Sequence, residues 1–175
     1  MDLPRSWIFT SATLGDDERL TWFTEPCGLA AARVLRIDSP FDYARQAALY
    51  VPRDLPKPDH PEHSAQVANF VAKAALALGG RTLVLTTSLR ALQLISEALA
   101  KAFSGSGSLD ILVQGRGSKR DLMSRFRRGG SATTAGCVLV ASASFWEGID
   151  VPGEALQMVI IDKLPFPPPN DPLVE

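Results

Sequence analysis

Two carboxylates flank a glycine in the run Phe145-Trp146-Glu147-Gly148-Ile149-Asp150, which continues into Val151-Pro152-Gly153. Carboxylates so placed accept hydrogen bonds from ribose hydroxyls or order an arginine on a facing surface. Gly148 lets the backbone come close to another group or take a positive φ. Trp146 offers a ring that stacks on a nucleobase, although a core position suits it equally. A second set is basic: Arg116, Lys119, Arg120, Arg125, Arg127 and Arg128, opposed only by Asp121. Such a cluster makes sequence-independent, salt-sensitive phosphate contacts; the competing reading is a solvated helix face. Arg90 follows Ser88 at the start of a predicted helix, whose N-terminus itself favours a phosphate.

These residues need elements to hold them. Apolar spacing at Val67, Phe70, Val71, Ala74 and Leu78 predicts a helix over 63–78, ended by Gly79-Gly80. Strands are predicted at 82–85, 110–113, 137–141 and 158–161, with helices after Ser88 and over 119–126. Weaker strands are read at 7–10 and 34–37, and a short helix at 19–23. Pro52, Pro56, Pro58 and Pro61 mark a loop, read without a domain boundary. Alternation of apolar strands and helices predicts a parallel sheet covered on both faces. Ligands of such sheets sit at the carboxyl ends of the strands. That rule selects Thr86-Thr87-Ser88, Gln114-Gly115-Arg116, residues 142–150 and Lys163-Leu164-Pro165.

Hydrophobic residues are 46% of the 175 and charged residues 21%, which suits one ordinary globular domain. The net charge of −1 gives no global hint of a nucleic-acid partner. Cys27 and Cys137 match no metal-binding spacing and read as two buried reduced thiols. His60 and His63 read as surface histidines of the proline-rich loop. No signal peptide or apolar run of about 20 residues is present, so no membrane partner and a cytoplasmic location are expected. No GxxxxGK[ST] occurs: Gly79-Gly80-Arg81-Thr82 precedes a strand where a phosphate loop follows one. Magnesium-binding DExx and dinucleotide-binding GxGxxG are also missing; Gly105-Ser106-Gly107 lacks the third glycine.

Three stretches in order carry a resemblance. Ser11-Ala12-Thr13-Leu14 resembles motif III of superfamily 2 helicases, and Thr82-Leu83-Val84-Leu85-Thr86-Thr87-Ser88 with Leu92 resembles motif IV. Residues 138–153, with Phe-Trp-Glu-Gly-Ile-Asp and Val-Pro-Gly, look like motif V of the DinG/XPD branch. Ser39-Pro40-Phe41-Asp42-Tyr43 and Leu164-Pro165-Phe166 are similar to that family too.

The resemblance implies an α/β, RecA-like three-layer sandwich with a mainly parallel sheet, a second helicase domain without its own phosphate loop. Residues 1–14 would end the first motor domain; 15–175 would form the second, cut before motif VI. Glu147, Gly148 and Asp150 would face ATP, and Ser11 and Thr13 would couple hydrolysis to movement. Ser88, Arg90, Gln114, Arg116, Lys119, Arg120 and Trp146 would follow single-stranded DNA. ATP and Mg2+ would belong to a full-length 5′-to-3′ DNA helicase, and the preceding motor domain would be a partner. That missing part has room for an iron–sulfur cluster; this chain alone is expected to bind no cofactor or metal and to hydrolyse no ATP. A nucleoid-associated location would follow. The rival readings are a non-catalytic nucleic-acid or partner-binding module, and a nucleotide-cofactor transferase, which would need a glycine-rich first turn.

Overall fold

The computed structural model describes residues 5–105, 107–130, 136–147 and 149–166. The chain divides into two units, Met1–Val51 and Pro52–Glu175. The division falls where the prolines begin, at the stretch read from sequence as a loop inside one domain.

In the first unit, α1 (Thr21–Thr24) and α2 (Tyr43–Gln46) are single turns. The Asp17 carboxylate accepts from the Thr21 hydroxyl and from the Thr21 and Arg19 amides; the Thr21 hydroxyl foremost holds it below the usual carboxylate value. Phe9 lies against Phe23, with ring centroids 5.3 Å apart. The strands expected at 7–10 and 34–37 do not form, and Trp7, Ile8, Leu35 and Ile37 are exposed. A strand requires a neighbour for its backbone groups and a layer for its side chains, and the described residues of this unit supply neither.

The second unit follows the predicted pattern closely: α3 (His63–Ala77), β1 (Thr82–Leu85), α4 (Leu89–Phe103), β2 (Asp110–Val113), α5 (Lys119–Arg127), β3 (Cys137–Ala141) and β4 (Met158–Ile161). All strand pairings are parallel, in the order β2-β3-β1-β4. Right-handed crossovers explain the layers. The β1–α4–β2 connection runs one way across the sheet, and β2–α5–β3 runs back, so their helices lie on opposite faces. Val67, Val71, Ile95, Leu99 and Phe103 of α3 and α4 pack with Val84, Val138 and Val140. On the other face, Leu122, Met123 and Phe126 of α5 pack with Leu83, Leu112 and Leu139. The result is the three-layer α/β sandwich.

From β3 the chain travels in the same direction as β2–α5–β3, over β1 to β4, and so stays on the α5 face. No α-helix forms among the described residues of this crossover. Two 3₁₀ turns, Ala143–Phe145 and Gly153–Ala155, shape it instead. Phe145 is buried there, and Trp146, Ile149, Val151 and Leu156 pack around it. The expectation of cover on both faces fails at β4, where Val159 and Ile161 are 49% and 44% exposed. Registered beside Leu83 and Leu85, they lie on the α5 face, and nine-residue α5 packs over β2 and β3 without reaching them. Gly80 is required where the chain turns into β1: its φ is +86° and a Cβ would sit 2.4 Å from the Cys137 nitrogen.

Two residue-level expectations need correction. Cys27 is exposed; only Cys137 is buried. Burial, with the Asp110 carboxylate adding to it, pushes the Cys137 thiol up to about 12, leaving a neutral packing group. His63 is also buried, as the first residue of α3. Its Nδ1 lies 2.8 Å from the Pro56 carbonyl and its Nε2 3.0 Å from that of Asp162. The ring thereby ties the proline-rich loop to the end of β4.

Candidate functional site

The carboxyl ends of the four strands are stitched together by hydrogen bonds in sheet order. After β2, Gln114 Oε1 accepts from the Ser142 amide at 2.7 Å and lies 3.3 Å from the Ser142 hydroxyl. Between β3 and β1, the Thr86 amide donates to the Ala141 carbonyl at 2.8 Å. Between β1 and β4, the Thr87 amide donates to Asp162 Oδ1 at 3.1 Å, and that oxygen also accepts from the Lys163 amide. Burial raises the Asp162 pKa against the opposing pull of those two amides. This edge fixes where each following loop begins.

Ser88 caps α4, its Oγ accepting from the Ala91 amide at 3.2 Å. Arg90 follows on the first turn, exposed. Both border a cavity of about 350 Å3 whose walls include His60, His63, Asp162 and Lys163. The end of β2 turns sharply at Gly115, φ +90°, with the Arg116 amide donating to the Val113 carbonyl. Arg116 and Arg120 are exposed, and neither has a side-chain partner among the described residues.

Other predicted site residues have intramolecular tasks. Lys119 Nζ donates to the Ser144 carbonyl at 2.5 Å and lies 4.9 Å from the centroid of Phe145. Trp146 is half-buried, and its indole nitrogen donates to the Thr86 carbonyl at 3.3 Å. Of the basic run, Arg125 is paired with Asp110 at 2.9 Å and Arg127 donates to the Asp150 carbonyl at 2.6 Å. The side chains of Glu147 and Asp150 are exposed, with no partner among the described residues. Gly148 lies outside the described residues. Ser11 and Thr13 belong to the first unit, where the Thr13 amide donates to Ser11 Oγ at 3.1 Å.

Sequence reasoning selected Thr87 at this edge but missed Asp162, its partner, and the contact of Arg127 with the loop that follows β3. The segment selected by the strand-end rule began one residue past Asp162, and no sequence signal pairs Arg127 with a backbone carbonyl twenty-three positions away. Among the described residues, no three His, Cys, Asp or Glu side chains are grouped to hold a metal ion, and no helix is long and apolar enough to cross a membrane.

A parallel three-layer α/β domain with polar loops at its carboxyl edge has the architecture of a RecA-like helicase C-terminal domain. A family model described as "Helicase C-terminal domain" matches residues 71–175. The chain belongs to that helicase C-terminal domain family, in its DinG/XPD-type branch. It is 44% identical over 172 residues to the ATP-dependent DNA helicase YoaA of Escherichia coli, covering 98% of this chain and 26% of that protein. It is 36% identical over 171 residues to the ATP-dependent helicase DinG of Mycobacterium tuberculosis, covering 95% of this chain and 24% of the relative. A Bacillus subtilis relative named 3′-5′ exonuclease DinG is 33% identical over 175 residues, 96% of this chain and 18% of its own. The chain thus spans about a quarter or less of the length of these relatives.

Proposed function

We propose that this domain supplies half of the ATP cleft and part of the single-stranded DNA track of an ATP-dependent DNA helicase. One observation carries the reading. The crossover after β3 leaves the carboxylates of Glu147 and Asp150 open, while the neighbouring β2–α5 segment leaves Arg116 and Arg120 without partners among the described residues. An acceptor set for ribose hydroxyls and a donor set for phosphates therefore sit on adjoining loops of one sheet edge. Gly148 belongs to the nucleotide-facing loop by its place in the motif. Ser88 and Arg90, at the α4 N-terminus, extend the phosphate-binding set. Gln114, Lys119 and Trp146 serve the track by shaping it, since each already has a partner inside the domain.

ATP hydrolysis would supply the free energy that changes the separation of two motor domains. In this reading Mg2+ and the phosphate loop come from the preceding motor domain, with or without an iron–sulfur cluster. Ser11 and Thr13 transmit hydrolysis to movement, 5′ to 3′ along the strand, in the cytoplasm at the nucleoid. The isolated chain hydrolyses no ATP.

The test is fluorescence anisotropy of the 175-residue chain with a labelled single-stranded oligonucleotide at two salt concentrations. Weak binding is expected, with log K falling against log salt by about 0.7 for each phosphate contacted. The double variant Arg116→Glu/Arg120→Glu should abolish it. No binding at low salt, or wild-type binding by that variant, removes the DNA track from this domain. A second reading, a nucleic-acid-binding module that works without ATP, gains from the exonuclease name of one relative matching the same segment. The reading frame upstream separates the two: a phosphate-loop and DExx motor domain in the same frame favours the helicase cleft, and a frame without one favours the module.

A further inference from the structure

Helix α5 grips the 142–152 crossover at both of its ends. Lys119, at the first position of the helix, donates to the Ser144 carbonyl and lies against the Phe145 ring. Arg127, at the last position, donates to the Asp150 carbonyl. The two cations are eight residues apart, about 12 Å along a helix axis. Between them Leu122, Met123 and Phe126 form the buried layer against which Phe145, Trp146, Ile149 and Val151 pack. Gln114, just ahead of α5, holds the entry of the crossover through the Ser142 amide.

A loop whose regular hydrogen bonding is limited to one short 3₁₀ turn, Ala143–Phe145, relies on such outside partners to hold one conformation. Charge-assisted bonds to two of its carbonyls leave the Glu147 and Asp150 carboxylates free while fixing the backbone that carries them. We infer that Lys119 and Arg127 are positioning residues for this loop, and that α5 is a splint linking it to the exposed cations Arg116 and Arg120. Arg120 is the residue next to Lys119, so a phosphate strand drawn to Arg120 bears on the helix turn that holds Ser144. Binding at the track then tightens the loop, and by reciprocity an ordered loop favours the track. The tightening rests on the DNA-track reading above; the splint itself does not.

Amide hydrogen exchange on the 175-residue chain tests both parts, with and without a saturating single-stranded oligonucleotide. Without DNA, Lys119→Met and Arg127→Met should each speed exchange at residues 144–152 by about three- to tenfold. Exchange in β1 and α4 should stay at the wild-type rate. Lys119→Arg should restore most of the protection at residues 144–146. Arg128→Met removes an exposed cation of the same region that has no partner among the described residues, and should leave the loop unchanged. Loop exchange within twofold of wild type in both Met variants overturns the splint, as does an equal rise in Arg128→Met or a rise spread over the whole domain. With DNA, loop protection should increase in wild type and fail to increase in Lys119→Met at oligonucleotide concentrations that saturate each protein. An equal increase in both overturns the link. Failure of wild type to bind the oligonucleotide overturns the link together with the DNA-track reading, and leaves the splint to the measurement without DNA.

Discussion

The two units use similar residues to different ends. In residues 5–51, Trp7, Ile8, Leu35 and Ile37 look like strand residues yet remain exposed, and only Thr24 is buried. In the second unit, Val84, Val138 and Val140 are fully buried in runs of the same character. The difference is the neighbour. β1, β3 and β4 supply backbone partners in register, and α3, α4 and α5 supply cover. A β-branched run becomes a strand only inside such a set, because isolated pairing cannot offset the entropy of ordering the chain.

The contrast breaks most sharply under truncation of large side chains. Phe126→Ala empties a fully buried position between α5 and the sheet and should cost about 3–5 kcal/mol. Trp22→Ala, at a position 72% exposed, should change stability by less than about 0.5 kcal/mol. Urea denaturation measures both, and equal effects would erase the distinction between the units. Next in size is Ser88→Ala, which removes the acceptor for the Ala91 amide and should cost about 1 kcal/mol; a loss below a few tenths would mean that solvent caps α4 equally well. Arg125→Ala breaks a partly exposed pair with Asp110 and should cost less, about 0.2–1 kcal/mol, with most of the loss disappearing in high salt.

For Asp162→Asn the sign decides. Burial raises the folded-state pKa above the ordinary carboxylate value, so the folded protein holds the proton more tightly than the unfolded chain. This group's favourable contribution is present below the unfolded pKa and is lost as pH rises through the folded one. An asparagine retains an oxygen for the Thr87 and Lys163 amides without the buried charge. The variant should therefore melt above wild type at neutral pH, and the gap should close as pH falls toward 4. A wild type that is more stable at pH 7 would show that the ionised carboxylate is favoured after all.

Much of the second unit was readable from the chain. The four strand spans and the Ser88 cap follow from apolar runs and from the polar residue ahead of α4, because local periodicity and burial agree there. The absent strands at 7–10 and 34–37 and the buried His63 were not readable, since each depends on what lies opposite. The site divides in the same way. Glu147 and Asp150 stand exposed where a glycine turn between carboxylates suggested. By contrast, Lys119 and Gln114 look like nucleic-acid contacts in sequence and are bonded to the crossover in the fold. Charge and polarity are visible in a sequence; the partner that uses them is not.

The sequence by itself determined the family motifs, the lack of a phosphate loop in this stretch and the alternation that gives a parallel sheet. Those are properties of residue type and spacing along one strand or helix. Only the tertiary structure decided that the motif V segment is the crossover from β3 to β4, held on the α5 face by Lys119, Arg127 and an apolar layer. It also decided that Asp162 joins the edge between β1 and β4. The physical reason is common to both: a backbone carbonyl or amide is the same group at every position, so its partner is chosen by strand order and crossover hand rather than by the letters around it.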